Sequence, residues 1–234
     1  MLIAFDLDGT LVDSCRDLAD SANEMLASYG AGPLSESCIG QLVGNGATAL
    51  VAAALEVSGA RASQNDALAR FLAIYDRRLL DHTQPYPGIP GILEGLAEEA
   101  TLALLTNKPL GASTRILDAF SLTRYFAQCV GGDGRWARKP APDGFCWLMQ
   151  QTGEQPATSW LVGDSLIDLQ TSRNAGARIC LARYGFGFAH VRPQDLDGRE
   201  CFVDTPEAIP EVVRVSEREA RRTDIQGSRR VPPH

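Results

Sequence analysis

Asp6 and Asp8 stand one residue apart where an apolar run near the start of the chain ends, and Gly9-Thr10 follows at once. On an extended segment, side chains two apart point the same way, so these carboxylates are expected on one face. Paired acids suit a nucleophile beside an acid or base, or a metal site. A surface turn would also use Asp and Gly. Two more polar residues stand in similar places: Thr106 after apolar residues 102–105, and Asp164 after residues 160–163. Each alone suits a helix cap, and for Thr106 alone capping or turn-making is the better reading. All of them together, with Lys139 in a loop rich in proline, are not explained as caps. In open parallel sheets ligands bind beyond the carboxyl ends of the strands, where these residues would lie.

The elements that must position them are legible as a pattern. Residues 2–5, 102–105, 160–162 and 179–181 read as buried strands, with 128–130 and 201–203 as weaker candidates. Helical spacing occupies 92–99, 113–120, 145–151 and 166–175. This alternation predicts an α/β fold, a Rossmann-like parallel sheet with helices on both faces. Between residues 14 and 84 no strand is evident. Leu18, Ala22, Met25 and Tyr29 recur at helical spacing, with Gly30 as a C-cap. Residues 47–55 form an alanine-rich helix after Gly44-Asn45-Gly46. Leu68, Phe71, Leu72, Tyr75 and Leu79 form a further stripe. The division expected is a core of residues 1–14 and 85–215, a small helical cap at 15–84 hinged near Pro85-Tyr86-Pro87-Gly88, and a flexible tail at 216–234.

Composition narrows the function. A net charge of −7 argues against nucleic acid as a partner. No apolar stretch reaches membrane-spanning length, and no secretory signal is expected from a start without a basic segment and a longer apolar run. The six cysteines include no C-x-x-C pair and there are only three histidines, which makes a zinc site or disulfide framework improbable. A cytoplasmic protein, monomer or homodimer, is expected.

The sequence Phe5-Asp6-Leu7-Asp8-Gly9-Thr10, with Asp13 and Ser14 beyond it, resembles the first motif of the haloacid dehalogenase superfamily, whose members are mostly phosphohydrolases. Leu105-Thr106-Asn107-Lys108-Pro109 is similar to the second motif, Arg138-Lys139-Pro140 to the third, and Val162-Gly163-Asp164-Ser165-Leu166-Ile167-Asp168 to the acidic fourth. The resemblance runs to about residue 185 and includes the placement of a helical cap. It implies Asp6 as nucleophile, Asp8 as acid and base, and Thr106, the Asn107 amide and Lys139 as phosphate ligands. It also implies Mg2+ held by Asp6, the backbone carbonyl of Asp8 and Asp164, with Asp168 orienting the metal shell or Lys139. Gly44-Asn45-Gly46 is no dinucleotide fingerprint. It is a helix-linking turn or, as the resemblance implies, a cap loop that faces the substrate.

Charge gives these residue types a reason. At about 4 Å and an effective dielectric near 20, each like-charged pair costs about 4 kcal/mol. Four ionised acids and a phosphate dianion sum to roughly −6, which one lysine does not balance. A divalent cation with oxygen ligands is therefore expected, and Mg2+ suits carboxylates meeting a phosphate. The expected activity is hydrolysis of a small phosphorylated metabolite. Thr106-Asn107-Lys108-Pro109, Gly131-Gly132-Asp133 and the glycine loop most resemble the phosphoglycolate phosphatases, although relatives acting on nucleotides, pyrophosphate or sugar phosphates share them. A phosphomutase of the same fold is the first alternative, and a binding protein that has kept the fold is another. Lys108, Arg135 and Arg138 read either as added charge near the phosphate or as solvated surface residues, the usual state of exposed basic side chains.

Overall fold

The computed structural model describes residues 1–214. The expected tail at 216–234 lies outside the described residues. Six strands form one parallel sheet in the order β5-β4-β1-β6-β7-β8. They are β1 Leu2–Phe5, β4 Thr101–Leu105, β5 Phe126–Val130, β6 Ser159–Gly163, β7 Arg178–Ala182 and β8 Cys201–Val203. A second, two-stranded pair joins β2 Val12–Asp13 antiparallel to β3 Gln84–Pro85. The helices are α1 Cys15–Ala27, α2 Glu36–Leu42, α3 Ala47–Ser58, α4 Gln64–Arg78, α5 Ile89–Ala97, α6 Leu110–Ala119, α7 Asp143–Thr152 and α8 Leu166–Ala175. The fold is α/β and Rossmann-like, as the alternation predicts.

Side-chain period two explains the layers. Along β1, Ile3 and Phe5 enter one apolar cluster and Leu2 and Ala4 another, so the strand is buried on both faces. Leu102 and Leu104 share the first cluster, while Ala103 and Leu105 share the second with Phe145 and Leu148 of α7. The central place of β1 puts Asp6 between the ends of β4 and β6. That position is where the chain changes direction across the sheet, and it leaves a crevice.

The insert α1–α4 departs after β2 and returns through β3. Asp17 of α1 is buried, and its carboxylate accepts from the amides of His82 and Thr83 and from the Thr83 hydroxyl. This side chain therefore ties the departing and returning segments together. Four details differ from the sequence expectation. Helix α2 was not anticipated, because its seven residues are too short to show a period. The β2–β3 pair has two residues per strand, below any alternation signal. Leu72 does not join the core stripe: it is 39% exposed and lies on a cavity wall. Helix α1 also ends at Ala27, ahead of Tyr29 and Gly30.

Candidate active site

The loops after β1, β4 and β6 meet at a cavity of about 450 Å³, closed on its other side by the insert. Asp6, Asp8, Thr106, Asn107 and Asp164 line it from the sheet, and Gly44 and Gly46 line it from the insert. Asn45, between those glycines, is exposed and lines nothing there. Lys139 and Asp168 lie off the cavity wall. They are only 5% and 0% exposed, and Lys139 reaches the site beside Asp6.

Lys139 Nζ is 2.9 Å from Asp6 Oδ1 and 2.6 Å from Asp168 Oδ1. The Asp6 contact is an ion pair by distance but is poorly angled for a hydrogen bond, so Oδ1 is otherwise unpartnered. Asp168 has no oxygen to spare. Its Oδ2 accepts from the amide of Ser165 at 3.1 Å and from the Ser165 hydroxyl at 2.6 Å, which makes it half of the capping box that starts α8. Helix geometry thus fixes Asp168, and Asp168 fixes Lys139. Burial opposes the charge on Lys139, but Asp168 and Asp6 together push its pKa above the ordinary lysine value.

Asp164 is held by the amide of Gly187 at 2.8 Å. Gly9 (φ +85°) lies so close to it that a Cβ there would be 2.0 Å from Asp164 Oδ2. Glycine at position 9 is therefore a steric requirement as well as a conformational one. Burial raises the Asp6 pKa to about 6; Lys139 opposes the rise, and Asp168 and Asp8 add to it. Burial, then Asp168 and Asp6, raises Asp164 well above the usual carboxylate range. One oxygen from each of Asp6, Asp164 and Asp168 falls within a 4.8 Å group. Three buried carboxylates sharing one lysine leave negative charge uncompensated, and with Asp168 already engaged, Asp6 and Asp164 are the oxygen donors that a hard divalent cation fits.

Asp8 lines the same cavity but stands outside this group of three acids. Its carboxylate accepts from Ser14 Oγ at 2.6 Å and from Lys108 Nζ at 2.8 and 3.0 Å. Only its backbone carbonyl is left for a metal. Thr106 Oγ1 accepts from the amide of Lys108 at 3.3 Å, which makes the local turn and leaves the hydroxyl hydrogen available. The Asn107 side chain donates to the carbonyls of Gly44 at 2.8 Å and Lys139 at 2.9 Å, so it joins the insert to the lysine loop. Gly46 (φ +83°) packs against the same residue, where a Cβ would be 3.2 Å from the Asn107 carbonyl oxygen.

Lys108 departs furthest from expectation. It is 6% exposed rather than solvated, and its ammonium also donates to the hydroxyl of Tyr75 from α4. Its burial had no local signal, since the partners come from residues far away in sequence. Arg135 and Arg138 are exposed: Arg135 stacks over Trp136 at 4.4 Å, and Arg138 donates to the Gly132 carbonyl. Tyr75 read only as part of an apolar stripe, and Gly187 lay beyond the recognisable motifs. Neither had a local signal.

Comparison with known proteins fits this geometry. Residues 3–182 match the model of the haloacid dehalogenase-like hydrolases. Phosphoglycolate phosphatase 1 of Pseudomonas aeruginosa is 38% identical over 199 residues, covering 82% of this chain and 72% of that protein. A phosphoglycolate phosphatase of Vibrio parahaemolyticus is 34% identical over 227 residues, covering 92% and 96%. Among solved structures, a predicted phosphoglycolate phosphatase from Haemophilus somnus superposes with a TM-score of 0.82 at 30% identity, covering 90% of this chain and 96% of that one.

Proposed function

The chain belongs to the haloacid dehalogenase-like hydrolase family, and from that premise we propose that it is a Mg2+-dependent phosphatase of small phosphate monoesters, 2-phosphoglycolate foremost, working through an aspartyl phosphate. One observation carries the reading: Asp6 reaches the cavity while Lys139, fixed by Asp168, holds it from behind. A carboxylate so held keeps one orientation and one oxygen for attack.

In the proposed reaction Asp6 attacks phosphorus, and the bond to the ester oxygen breaks. Asp8 enters this step protonated and gives its proton to that oxygen. Then, as a carboxylate, it takes one from the water that cleaves the aspartyl phosphate, which releases inorganic phosphate and frees the Asp6 carboxylate. The Thr106 hydroxyl, the Asn107 amide and Lys139 meet the charge on the transferring oxygens. Asp6, Asp164 and the Asp8 carbonyl would hold Mg2+, with Asp168 acting on Lys139 rather than on the metal. A bound Mg2+ supplies the positive charge that lets a carboxylate approach a phosphate dianion. Residues 15–84 serve as a cap over a core of 1–14 and 85–215, with Gly44, Asn45 and Gly46 in its substrate loop. The protein works in the cytoplasm as monomer or homodimer. Among the described residues no helix is long and apolar enough to cross a membrane.

A panel of small phosphate esters with and without Mg2+ tests the assignment. Phosphate release that needs Mg2+ and is fastest on 2-phosphoglycolate supports it. Full activity in excess chelator removes the metal, and no turnover of any ester removes the phosphatase.

A further inference from the structure

The cavity contains a cation and a hydroxyl that phosphoryl transfer does not use. Lys108 and Tyr75 both line it, and both are at least nine-tenths buried. Burying an ammonium is costly unless it is paired, and here it has three acceptors: both oxygens of Asp8 and the Tyr75 hydroxyl. Two of its hydrogens go to a single carboxylate, so one can pass to an incoming group without leaving Asp8 unpaired. Burial pushes the Tyr75 phenol up to about 12, which keeps it protonated. Its oxygen accepts from Lys108, and among the described residues its own hydrogen has no acceptor. A buried hydroxyl donor with nothing to donate to is uncommon.

The rest of the insert's wall is largely apolar, with Leu18, Leu50, Phe71 and Leu79 among its residues. Arg115, the other basic residue on the wall, is half exposed and taken by Asp76. An anionic group outside the phosphate therefore has one buried place to go. Its position is set by Asp8. A proton donor to the leaving oxygen must come within about 2.6–3.2 Å of it. Lys108 Nζ is 2.8 Å beyond Asp8 Oδ1, so it lies in the shell next to the leaving oxygen. In an ester of the form phosphate–O–CH2–carboxylate, only one methylene separates the carboxylate from that oxygen.

We propose that Lys108 and Tyr75 form a recognition site for a carboxylate one methylene from the leaving oxygen, and so set substrate preference. This rests on the phosphatase reading with Asp8 as proton donor. Lys108 comes from the loop after β4 and Tyr75 from α4, so the site exists only with the insert against the core. Carboxylate binding and enclosure are then one event.

The test compares 2-phosphoglycolate with ethyl phosphate, in which a methyl group replaces the carboxylate, in wild type, Lys108→Gln and Tyr75→Phe. The readout is the ratio of kcat/KM for the two esters, so a general loss of catalysis from disturbing Asp8 cancels. The wild-type ratio should exceed a hundred, fall about tenfold in Tyr75→Phe, and approach unity in Lys108→Gln. These sizes are those of single charge-assisted hydrogen bonds, about 1.5–3 kcal/mol each. Should the variants fold poorly, inhibition of the wild type by 3-phosphonopropionate against propylphosphonate asks the same question. The carboxylate compound should bind at least thirtyfold tighter, and equal binding would overturn the proposal. A wild-type ratio that survives both substitutions places recognition elsewhere and also overturns it. Equal turnover of both esters refutes the carboxylate site alone, whereas no turnover of either refutes the phosphatase.

Discussion

The two walls of the cavity are built on different principles. On the sheet side the polar groups hold one another: Ser165 fixes Asp168, Asp168 fixes Lys139, and Lys139 fixes Asp6. On the insert side most of the wall is apolar, and the polar exceptions, Tyr75 and Asp76, face partners on the core, Lys108 and Arg115. Charge is costly to bury, so a wall that meets a phosphate must be cross-braced. A wall that only encloses a ligand can rely on shape. Substitutions in the chain from Ser165 to Asp6 should therefore act on every ester alike, and substitutions on the second wall, or at the Lys108 it pairs with, should change their ranking.

The largest effect belongs to Asp6. Asp6→Asn should lower kcat by at least about 10⁴ for every ester, with circular dichroism unchanged, since the amide is near-isosteric but a poor nucleophile. Activity within tenfold of wild type would remove Asp6 from the chemistry. Lys139→Met comes next and strikes both function and stability. It leaves Asp6 and Asp168 buried without their cation, a loss of about 3–5 kcal/mol. Thermal denaturation should show Tm falling by roughly 6–20 °C at 2–4 °C per kcal/mol. An unchanged Tm would mean that the ion pairs are not made.

The sequence disclosed these two walls unequally. The strands and the acids at their ends could be read because each signal is local: an apolar run, then Asp6, Thr106 or Asp164. Helical periodicity likewise exposed α1, α3 and α4. The bracing was not readable. Lys108 read either as charge near the phosphate or as a solvated surface lysine, and its partners Asp8 and Tyr75 are 100 and 33 residues away. Asp17, which joins the two ends of the insert, looked like an ordinary polar helix residue. Pairings across such distances leave no period and no motif.

On the insert side, Gly46→Val should disturb ranking more than rate. A β-branched residue at φ +83° is strained, and its Cβ would press on the Asn107 carbonyl, where insert and core meet. Relative kcat/KM among small esters should shift several-fold, and an activated aryl phosphate should be least affected. An unchanged ranking would make the loop a simple turn.

The smallest effect is one of linkage. Burial raises the metal-free Asp6 pKa to about 6, so the folded protein holds a proton that the unfolded chain releases. Asp6 therefore favours the fold most below the ordinary carboxylate range, and that support is lost as pH rises through about 6. A cation held there offsets the loss. Mg2+ should raise Tm by a few degrees at about pH 8 and hardly at all at about pH 5. A shift that is equal at both values would place the cation away from Asp6.

The central claim is that the braced wall makes a nucleophile of Asp6. It is tested most directly by acid-quenching a single turnover of a radiolabelled phosphate ester with Mg2+ and mapping the label to a peptide. The account predicts acid-stable label on the segment that contains Asp6, lost on treatment with hydroxylamine, as an acyl phosphate requires. Turnover that releases labelled phosphate while the Asp6 peptide stays unlabelled at every quench time would contradict it.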